Sequence, residues 1–259
     1  MKLATWNVNS LAVRLPQVLD WLAVNPVDAL CLQELKLPDD KFPLQALQEA
    51  GYGHCAVFGQ KTYNGVAIVS RLPLRDVAKN IQGFADEQSR VIAATLDTPR
   101  GALRLVNGYF VNGQAPGTDK FAYKMQWLAG LRHWLAGELA ASPGLVLVGD
   151  FNITFDDRDT YDPEGLRETI HHTSEERAQF QALLELGLVD AFRLFEQPEK
   201  SYSWWDYREF AFRRNRGLRI DHILVSQPLK PHVKSCLIDK LPRKNERPSD
   251  HVPVVVELD

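Results

Sequence analysis

Short apolar runs alternate with amphipathic segments along the chain, and the two patterns predict different elements. Runs of four to eight apolar residues bounded by turn residues are typical of strands, whereas apolar spacings of three and four indicate helices. The predicted strands are residues 3–7, 29–33, 54–58, 66–70, 91–96, 103–109, 145–150, 202–207, 219–225 and 252–258. The predicted helices are residues 16–24, 42–50, 123–139 and one that opens at the capping box Thr173-Ser174-Glu175-Glu176.

The order of these elements favours one fold class. Strands outnumber helices, several pair as hairpins, and the helices are interspersed among them. This order indicates an α/β sandwich with largely antiparallel sheets, since a simple βαβ series would alternate strand and helix regularly. No internal repeat, low-complexity tract or Pro/Ser-rich linker divides the chain, so residues 1–259 are predicted to form one domain.

Many of the predicted strands deliver a polar side chain at or beside one end. These side chains are Asn7, Glu34, Tyr109, Asp150, Asn152, Asp221, Asp250 and His251. A single Asp after an apolar run, such as Asp150 after 145–149, is ordinary in a turn. The recurrence changes that interpretation, because strand ends that converge on one rim would gather all of these groups into one site.

Such a rim would carry four carboxylates, which repel one another unless a cation neutralises them. The chain offers oxygen ligands and no cysteines at metal-binding spacing, which favours Mg²⁺, with Mn²⁺ or Ca²⁺ as substitutes. A carboxylate-bound Mg²⁺ beside a histidine and carboxamides suits hydrolysis of a phosphoester by a polarised water.

Charge, cysteine content and the amino terminus restrict the possible partners and cellular compartment of the protein. The formal net charge of −3 excludes a polycation that coats nucleic acid, although arginines are locally dense around residues 208–219 and 243–247. Those clusters are either solvated loops or phosphate contacts. Three cysteines, no apolar signal-peptide region and no apolar run of membrane-spanning length predict a cytoplasmic protein without a membrane partner. No oligomer interface is recognisable, so a monomer is expected.

Six motifs occur in an order that identifies a family resemblance. They are Trp6-Asn7-Val8-Asn9, Leu32-Gln33-Glu34-Leu35-Lys36, Asn107-Gly108-Tyr109, Gly149-Asp150-Phe151-Asn152, Gly217-Leu218-Arg219-Ile220-Asp221 and Ser249-Asp250-His251. Together they resemble the exonuclease III family of DNA repair nucleases, within the endonuclease/exonuclease/phosphatase superfamily. The resemblance implies a DNase I-like four-layer α/β sandwich, with two mixed, mostly antiparallel sheets packed face to face and helices outside. It also implies Mg²⁺-dependent hydrolysis of phosphodiesters in duplex DNA at a nick, a 3′ end or an abasic site.

The resemblance also implies roles for the residues of the rim. The metal set would be Asn7, Glu34, Asp150, Asn152, Asp250 and His251, with Glu34 as the main ligand. Asp150 would orient or deprotonate the attacking water, and Asn152 would hold it. His251, oriented by Asp221, would contact the scissile phosphate, and Tyr109 would support the phosphate or the leaving group. Asp150, His251 and Tyr109 stay open as alternatives for the group that moves the proton.

A second set of residues would contact DNA by the same resemblance. The set is Asn9, His171, Phe212, Arg213, Arg214, Arg216, Leu218 and Ile220. Phe212, Leu218 and Ile220 would line a pocket for an extrahelical deoxyribose, a form of selection by flipping, unless they are simply core residues. The three arginines would bind backbone phosphates rather than read bases.

Two positions depart from the family pattern. Val111 stands where the family commonly has proline, and His171-His172 stands where it usually has an apolar or small residue. The histidines are either an ordinary surface pair or place one ring on the DNA-facing rim. A ring there would crowd continuous duplex yet admit a frayed or nicked 3′ end, and Ile170-His171 resembles paralogues specialised in 3′-end work. We therefore predict 3′-5′ exonuclease and 3′-phosphatase activity at least comparable with abasic-site incision.

Three other functions stay open at this point. The chain could be mainly an abasic-site endonuclease of the same family, another phosphoesterase of the superfamily, or an inactive DNA-binding scaffold. The complete set of acidic residues argues against the scaffold, because unused carboxylates crowded together only destabilise a fold.

Overall fold

The computed structural model describes all residues from Met1 to Asp259, and it contains twelve strands and four α-helices. The strands are β1 (Lys2–Asn7), β2 (Ala29–Gln33), β3 (His54–Phe58), β4 (Val66–Ser70), β5 (Leu74–Lys79), β6 (Val91–Thr98), β7 (Gly101–Tyr109), β8 (Leu145–Asp150), β9 (Leu188–Asp190), β10 (Asp221–Ser226), β11 (Val233–Ile238) and β12 (Val254–Leu258). The helices are α1 (Leu11–Val24), α2 (Leu44–Glu49), α3 (Asp119–Ala141) and α4 (Ser174–Leu184). No helix combines the length and the apolar character that crossing a membrane requires.

The strands form two six-stranded sheets, ordered β11-β12-β1-β2-β4-β3 and β5-β6-β7-β8-β10-β9. Only β1–β2 and β7–β8 pair in parallel, so both sheets are mixed and mostly antiparallel. One apolar core lies between the sheets, α1 and α2 cover the outer face of the first sheet, and α3 and α4 cover the second. The predicted four-layer sandwich with helices outside is confirmed.

Side-chain alternation along the strands explains how the sheets bury both faces. In β1, Leu3 points into the core between the sheets, whereas Ala4 and Trp6 pack under the helices. The same alternation in β8 turns Val146 and Val148 inward. Because side chains two residues apart share a face, the inward faces of β1, β7 and β8 end at Asn7, Tyr109 and Asp150 of the predicted rim.

The polar layer directly beneath that rim joins the two sheets. Gln33 Nε2 donates to Asn107 Oδ1 across the core at 2.7 Å, and also to Thr5 Oγ1 at 2.8 Å. Asn107 Nδ2 in turn donates to the main-chain carbonyls of Leu32 and Ala67, both at 2.9 Å. Buried amides need such partners, so this bridge defines one alignment of the sheets just below the rim.

Five elements of the sequence prediction were wrong or missing. Residues 202–207 do not form a strand; Trp204 makes only isolated bridges, to Leu218 and His251. The strands β5, β9 and β11 were not predicted, because β5 and β11 are edge strands with few buried side chains and β9 has three residues. Helix α1 begins at Leu11 rather than Pro16, since the backbone N–H of Leu11 binds Leu35 O and fixes an earlier start.

Candidate active site

Strand pairing brings the predicted rim residues together. Asn7 is level with Gln33 in the parallel pair β1–β2, so Glu34 emerges beside it. In the second sheet, Asp150 is level with Tyr109 on one side and Asp221 on the other. The carboxyl ends of parallel strands and the amino end of their antiparallel neighbour lie at the same edge, which is why residues so distant in sequence meet there.

Asn7 links the two carboxylates at the centre of the site. Its Nδ2 donates to Glu34 Oε1 at 2.9 Å and to Asp150 Oδ2 at 2.8 Å. Glu34 belongs to one sheet and Asp150 to the other, so this amide spans the gap between them. Lys36 Nζ lies 2.9 Å from the second oxygen of Glu34 and partly balances its charge.

The same centre contains a group that can bind a metal ion. Ligand atoms of Glu34, Asp150 and His251 all lie within 4.8 Å of one another. Burial, together with the charges of Asp221 and Glu34, raises the pKa of Asp150 to about 7 against the lowering effects of His251 and of the Asn7 hydrogen bond. A site that crowds carboxylates in this way fits a hard cation, because the cation would favour the ionised form.

His251 is oriented by two carboxylates. Its Nδ1 lies 2.8 Å from Asp221 Oδ2, and its Nε2 lies 3.6 Å from Asp150 Oδ2. Burial lowers the pKa of His251, but the charges of Asp221 and Asp150 outweigh it and raise the value to about 10. The ring can therefore donate a hydrogen bond to a phosphate oxygen at neutral pH.

Tyr109 lies beside Glu34 at the end of β7. Burial, followed by the charges of Glu34 and Asp150, raises the pKa of the Tyr109 phenol well above its usual value. Arg90 stacks over its ring at 5.0 Å and donates to its main-chain carbonyl at 3.2 Å. The phenol consequently keeps its proton at neutral pH and can donate it in a hydrogen bond.

Asn152 is held by main-chain groups in a left-handed conformation, with φ at 51°. Its Nδ2 donates to Phe110 O at 3.1 Å, its own N–H donates to Asp150 Oδ1 at 3.0 Å, and Asn112 Nδ2 lies 3.3 Å from its Oδ1. Asn152 therefore lies next to Asp150 at the edge of the centre.

His171 lies directly behind Asn152. Its Nδ1 is 2.7 Å from Asn152 O, so the neutral ring donates there and leaves Nε2 as an acceptor. Burial and the ammonium of Lys124 lower the pKa of His171 to about 4. The ring is neutral at pH 7 and fixed at the edge of the site, whereas His172 is buried and turned toward Thr154 and Arg177.

A buried ion pair that the sequence did not reveal supports this position. Lys124 and Glu176 are fully buried and bind each other. Lys124 Nζ also donates to Asn152 O at 2.8 Å, and Glu176 Oε1 accepts from the N–H of His171 at 3.1 Å. The pair thus joins α3 and α4 to both residues, although the capping box was the only sequence signal at Glu176.

Asp250 and Asn9 are hydrogen-bonded to each other. Asp250 accepts from Asn9 Nδ2 at 3.0 Å and from Trp204 Nε1 at 2.9 Å, so both of its oxygens have partners away from Glu34 and Asp150. The structure does not bring Asp250 into the group of possible metal ligands.

A cavity of about 580 Å³ opens beside His171. Its walls include Trp204, Leu218 and Ile170. Of the predicted sugar-pocket residues, Leu218 faces this cavity, whereas Phe212 packs edge-on against Trp205 with ring centroids 5.0 Å apart and Ile220 is buried. Trp204 lies in the predicted strand 202–207 and was not selected as a site residue from the sequence.

The arginines of the segment 208–219 divide into two kinds. Arg213, Arg214 and Arg216 are exposed, as phosphate contacts must be. Arg219 is 1% exposed and binds both Asp159 and Asp190, at 2.7 Å each, so it stabilises the fold behind the cavity. Arg219 therefore has a structural role, although it belongs to the same arginine-rich stretch of sequence as the exposed arginines.

The rim as a whole has the chemistry of a phosphoester hydrolase, and comparisons with known proteins agree. The Endonuclease/Exonuclease/phosphatase family model matches residues 4–251. Over 270 aligned positions covering both chains completely, the chain is 36% identical to exodeoxyribonuclease III of Haemophilus influenzae.

Solved structures give the same result. The 3′-5′ exonuclease NExo from Neisseria meningitidis superposes with a TM-score of 0.96 and 52% identity, covering 100% of both chains. The 3′ phosphatase NExo from Neisseria bound to product DNA hairpin gives the same score and identity, covering 100% of this chain and 99% of that one. An AP endonuclease from Archaeoglobus fulgidus has a TM-score of 0.94 and 35% identity over 100% of this chain and 99% of its own. The chain therefore belongs to the endonuclease/exonuclease/phosphatase family, within its exodeoxyribonuclease III group, and is a nuclease-type hydrolase.

Proposed function

We propose that this protein is a Mg²⁺-dependent DNA repair nuclease that acts mainly on 3′ ends of duplex DNA. It removes 3′ nucleotides and blocking 3′ phosphates, and incises abasic sites less efficiently. The observation that carries this proposal is the His171 ring, which lines the cavity with its Nδ1 2.7 Å from Asn152 O. The exonuclease and 3′ phosphatase named NExo, at 52% identity, support it.

Glu34, Asp150 and Asn7 would hold the cation in this proposal. Glu34 and Asp150 supply hard oxygen donors within 4.8 Å, and Asn7 bonds to both. When bound, Mg²⁺ supplies positive charge for the phosphoryl oxygens and polarises water, with Mn²⁺ as a substitute. Asp250 and Asn152 act outside this set, on DNA and on water respectively.

Each protein side chain of the site then has its own role in the reaction. Asp150 accepts the proton of the attacking water, because its carboxylate lies at the centre of the site, bonded to the amide of Asn7 and to the N–H of Asn152. Asn152 holds that water. His251, charged and oriented by Asp221, donates to the scissile phosphate, and protonated Tyr109 donates to the leaving oxygen.

The proposed substrate surface surrounds the cavity. Leu218 and Trp204 form apolar walls suited to a 3′-terminal sugar, and the exposed Arg213, Arg214 and Arg216 contact phosphates. We also propose that the protein acts as a monomer in the cytoplasm, which is consistent with its three free cysteines.

Metal removal tests the first part of the proposal. We expect a nicked or 3′-blocked duplex oligonucleotide to be cleaved in Mg²⁺ and to remain intact after EDTA is added, because the crowded carboxylates need a cation. A denaturing gel follows the cleavage, and excess Mg²⁺ restored after chelation serves as the control. Undiminished cleavage in EDTA would contradict a metal-dependent mechanism.

The choice of DNA end is tested at His171. We expect His171→Gly to raise abasic-site incision relative to 3′-end resection by about tenfold or more, since the ring no longer crowds continuous duplex. The positive φ of 69° at this position suits glycine, so the substitution adds no backbone strain. The measurement is kcat/KM on matched duplexes carrying either lesion.

A matched substitution of the neighbouring ring is the control. His172→Gly removes the other ring of the pair, which also lines the cavity but bonds to Thr154 and Arg177 instead of Asn152, and should change the ratio much less than His171→Gly does. Robust abasic incision by the unmodified protein, with no effect of His171→Gly, would instead favour the alternative of a mainly abasic-site endonuclease. The similarity to the Archaeoglobus fulgidus AP endonuclease supports that alternative.

A further inference from the structure

The loop of residues 207–217, named the Phe210 loop here, is firmly anchored at its base. Trp205 Nε1 donates to Asn215 Oδ1 at 3.1 Å, and Phe212 packs against the Trp205 ring. Main-chain bonds within the loop, including Arg214 N–H to Phe210 O at 3.0 Å, close it into tight turns. A Cβ at Gly217 would lie 2.5 Å from Trp205 Nε1, so the loop also passes unusually close to the indole.

The tip of this rigid loop exposes an aromatic side chain. Phe210 is 71% exposed, and both it and Glu209 have positive φ, at 52° and 55°. Two consecutive side-chain-bearing residues in the left-handed region are energetically unfavourable. Strain of this kind persists where the surrounding structure enforces it, and here it turns a phenyl ring toward water rather than into a core.

The loop also adjoins the site and carries positive charge. Arg208, Glu209, Ala211 and Arg216 line the cavity that contains His171. Phe210 therefore lies in sequence between two residues that line the cavity, Glu209 and Ala211, and does not line it itself. Arg213 and Arg214 are exposed and take part in no ion pair, unlike Arg208, which binds Asp206 at 2.7 Å.

We propose that the Phe210 loop is a base-stacking element for the DNA end: Phe210 stacks on an unpaired nucleobase beside the 3′ terminus, and Arg213 and Arg214 bind the adjoining phosphates. Every nucleobase has an aromatic face, so an exposed ring between free arginines suits DNA of any sequence. A preformed loop also loses little conformational freedom on binding. This inference rests on the proposed function and extends it from cleavage to the selection of frayed ends.

Binding measured in EDTA tests the stacking directly. Two fluorescent duplexes are compared, one with a single unpaired 3′ nucleotide and one with a baseless sugar at that position. We expect the unmodified protein to bind the first duplex about tenfold more tightly, the scale of one base–aromatic stack. Phe210→Ala should abolish this preference, and Phe210→Trp should keep it.

Further variants separate stacking from charge and from general damage. Arg213→Gln combined with Arg214→Gln should weaken both duplexes equally and reduce the salt slope by about two. Leu237→Ala, which removes another exposed apolar side chain on the edge strand β11, should change neither affinity. Thermal melting of each variant establishes that it is folded.

The inference is overturned if Phe210→Ala binds both duplexes as the unmodified protein does. It is equally overturned if the loss of affinity is the same on the baseless duplex, because stacking needs a base. Cleavage of 3′ ends in Mg²⁺ tests the proposed function separately. An active nuclease that binds both duplexes equally would overturn the stacking element alone.

Discussion

Asp150→Asn is expected to lower the single-turnover rate of 3′-end cleavage by about 10²-fold or more, the scale of a lost general base. Asparagine keeps the size of the side chain and can still bind the amide of Asn7, but it cannot accept a proton from water. The rate is measured with enzyme in excess over a 3′-ended duplex in saturating Mg²⁺, so that product release does not limit it.

The control for Asp150 is Glu138→Gln. Glu138 is also a carboxylate with an ionic partner, Arg104 at 2.6 Å, but it lies on α3 away from the rim. Its substitution should leave the cleavage rate within about twofold, as is usual for changes remote from a site. An Asp150→Asn protein that is folded and cleaves at the normal rate would remove Asp150 from the mechanism.

The second large effect is expected at His251. His251→Ala should lower kcat by about 10²-fold or more, because it removes the charged donor held between Asp221 and Asp150. Asp221→Asn should lower kcat less, since the ring stays in place while its orientation and charge are less well supported. Steady-state cleavage of a 3′-phosphorylated duplex gives both values.

A histidine outside the site serves as the comparison. His232 lies on the surface 3.2 Å from Asp259, and His232→Ala should leave kcat unchanged. Equal rates for His251→Ala and the unmodified protein would exclude phosphate activation by this imidazole. An Asp221→Asn variant slower than His251→Ala would show that Asp221 acts on more than the ring.

The central elements of the fold were predictable because they are buried on both faces. Strands β2, β4 and β8 are continuous apolar runs, and their bounds agree with the prediction. The edge strand β5 was not predicted because much of it is exposed to solvent. It is a strand because it pairs with its neighbour in the sheet, not because of its own composition. The prediction of a strand at residues 202–207 was wrong for the opposite reason. The aromatic residues of this segment pack around a cavity and the base of the Phe210 loop rather than along a sheet.

The site residues that lie at the ends of buried strands could be predicted from the sequence. Asn7, Glu34, Tyr109 and Asp150 stand where buried strands terminate, so convergence followed from the fold alone. Lys124 and Glu176 could not be found in this way, because their pairing depends on how α3 packs against α4. The sequence also grouped Arg219 with surface arginines. Its burial was not recognisable, because its two carboxylate partners lie far away along the chain.

The amide bridge between Gln33 and Asn107 has a consequence beyond stability. Glu34 and Asp150 stand on different sheets, so the thickness of the packed interior is the spacer that determines their separation. A displacement of about 1 Å at a reacting group can change a rate by roughly 10²-fold. Apolar side chains between the sheets that do not contact DNA, such as Ile68 and Val148, therefore help to determine the distance between the Glu34 and Asp150 carboxylates. Packing of the hydrophobic core thus contributes to catalysis.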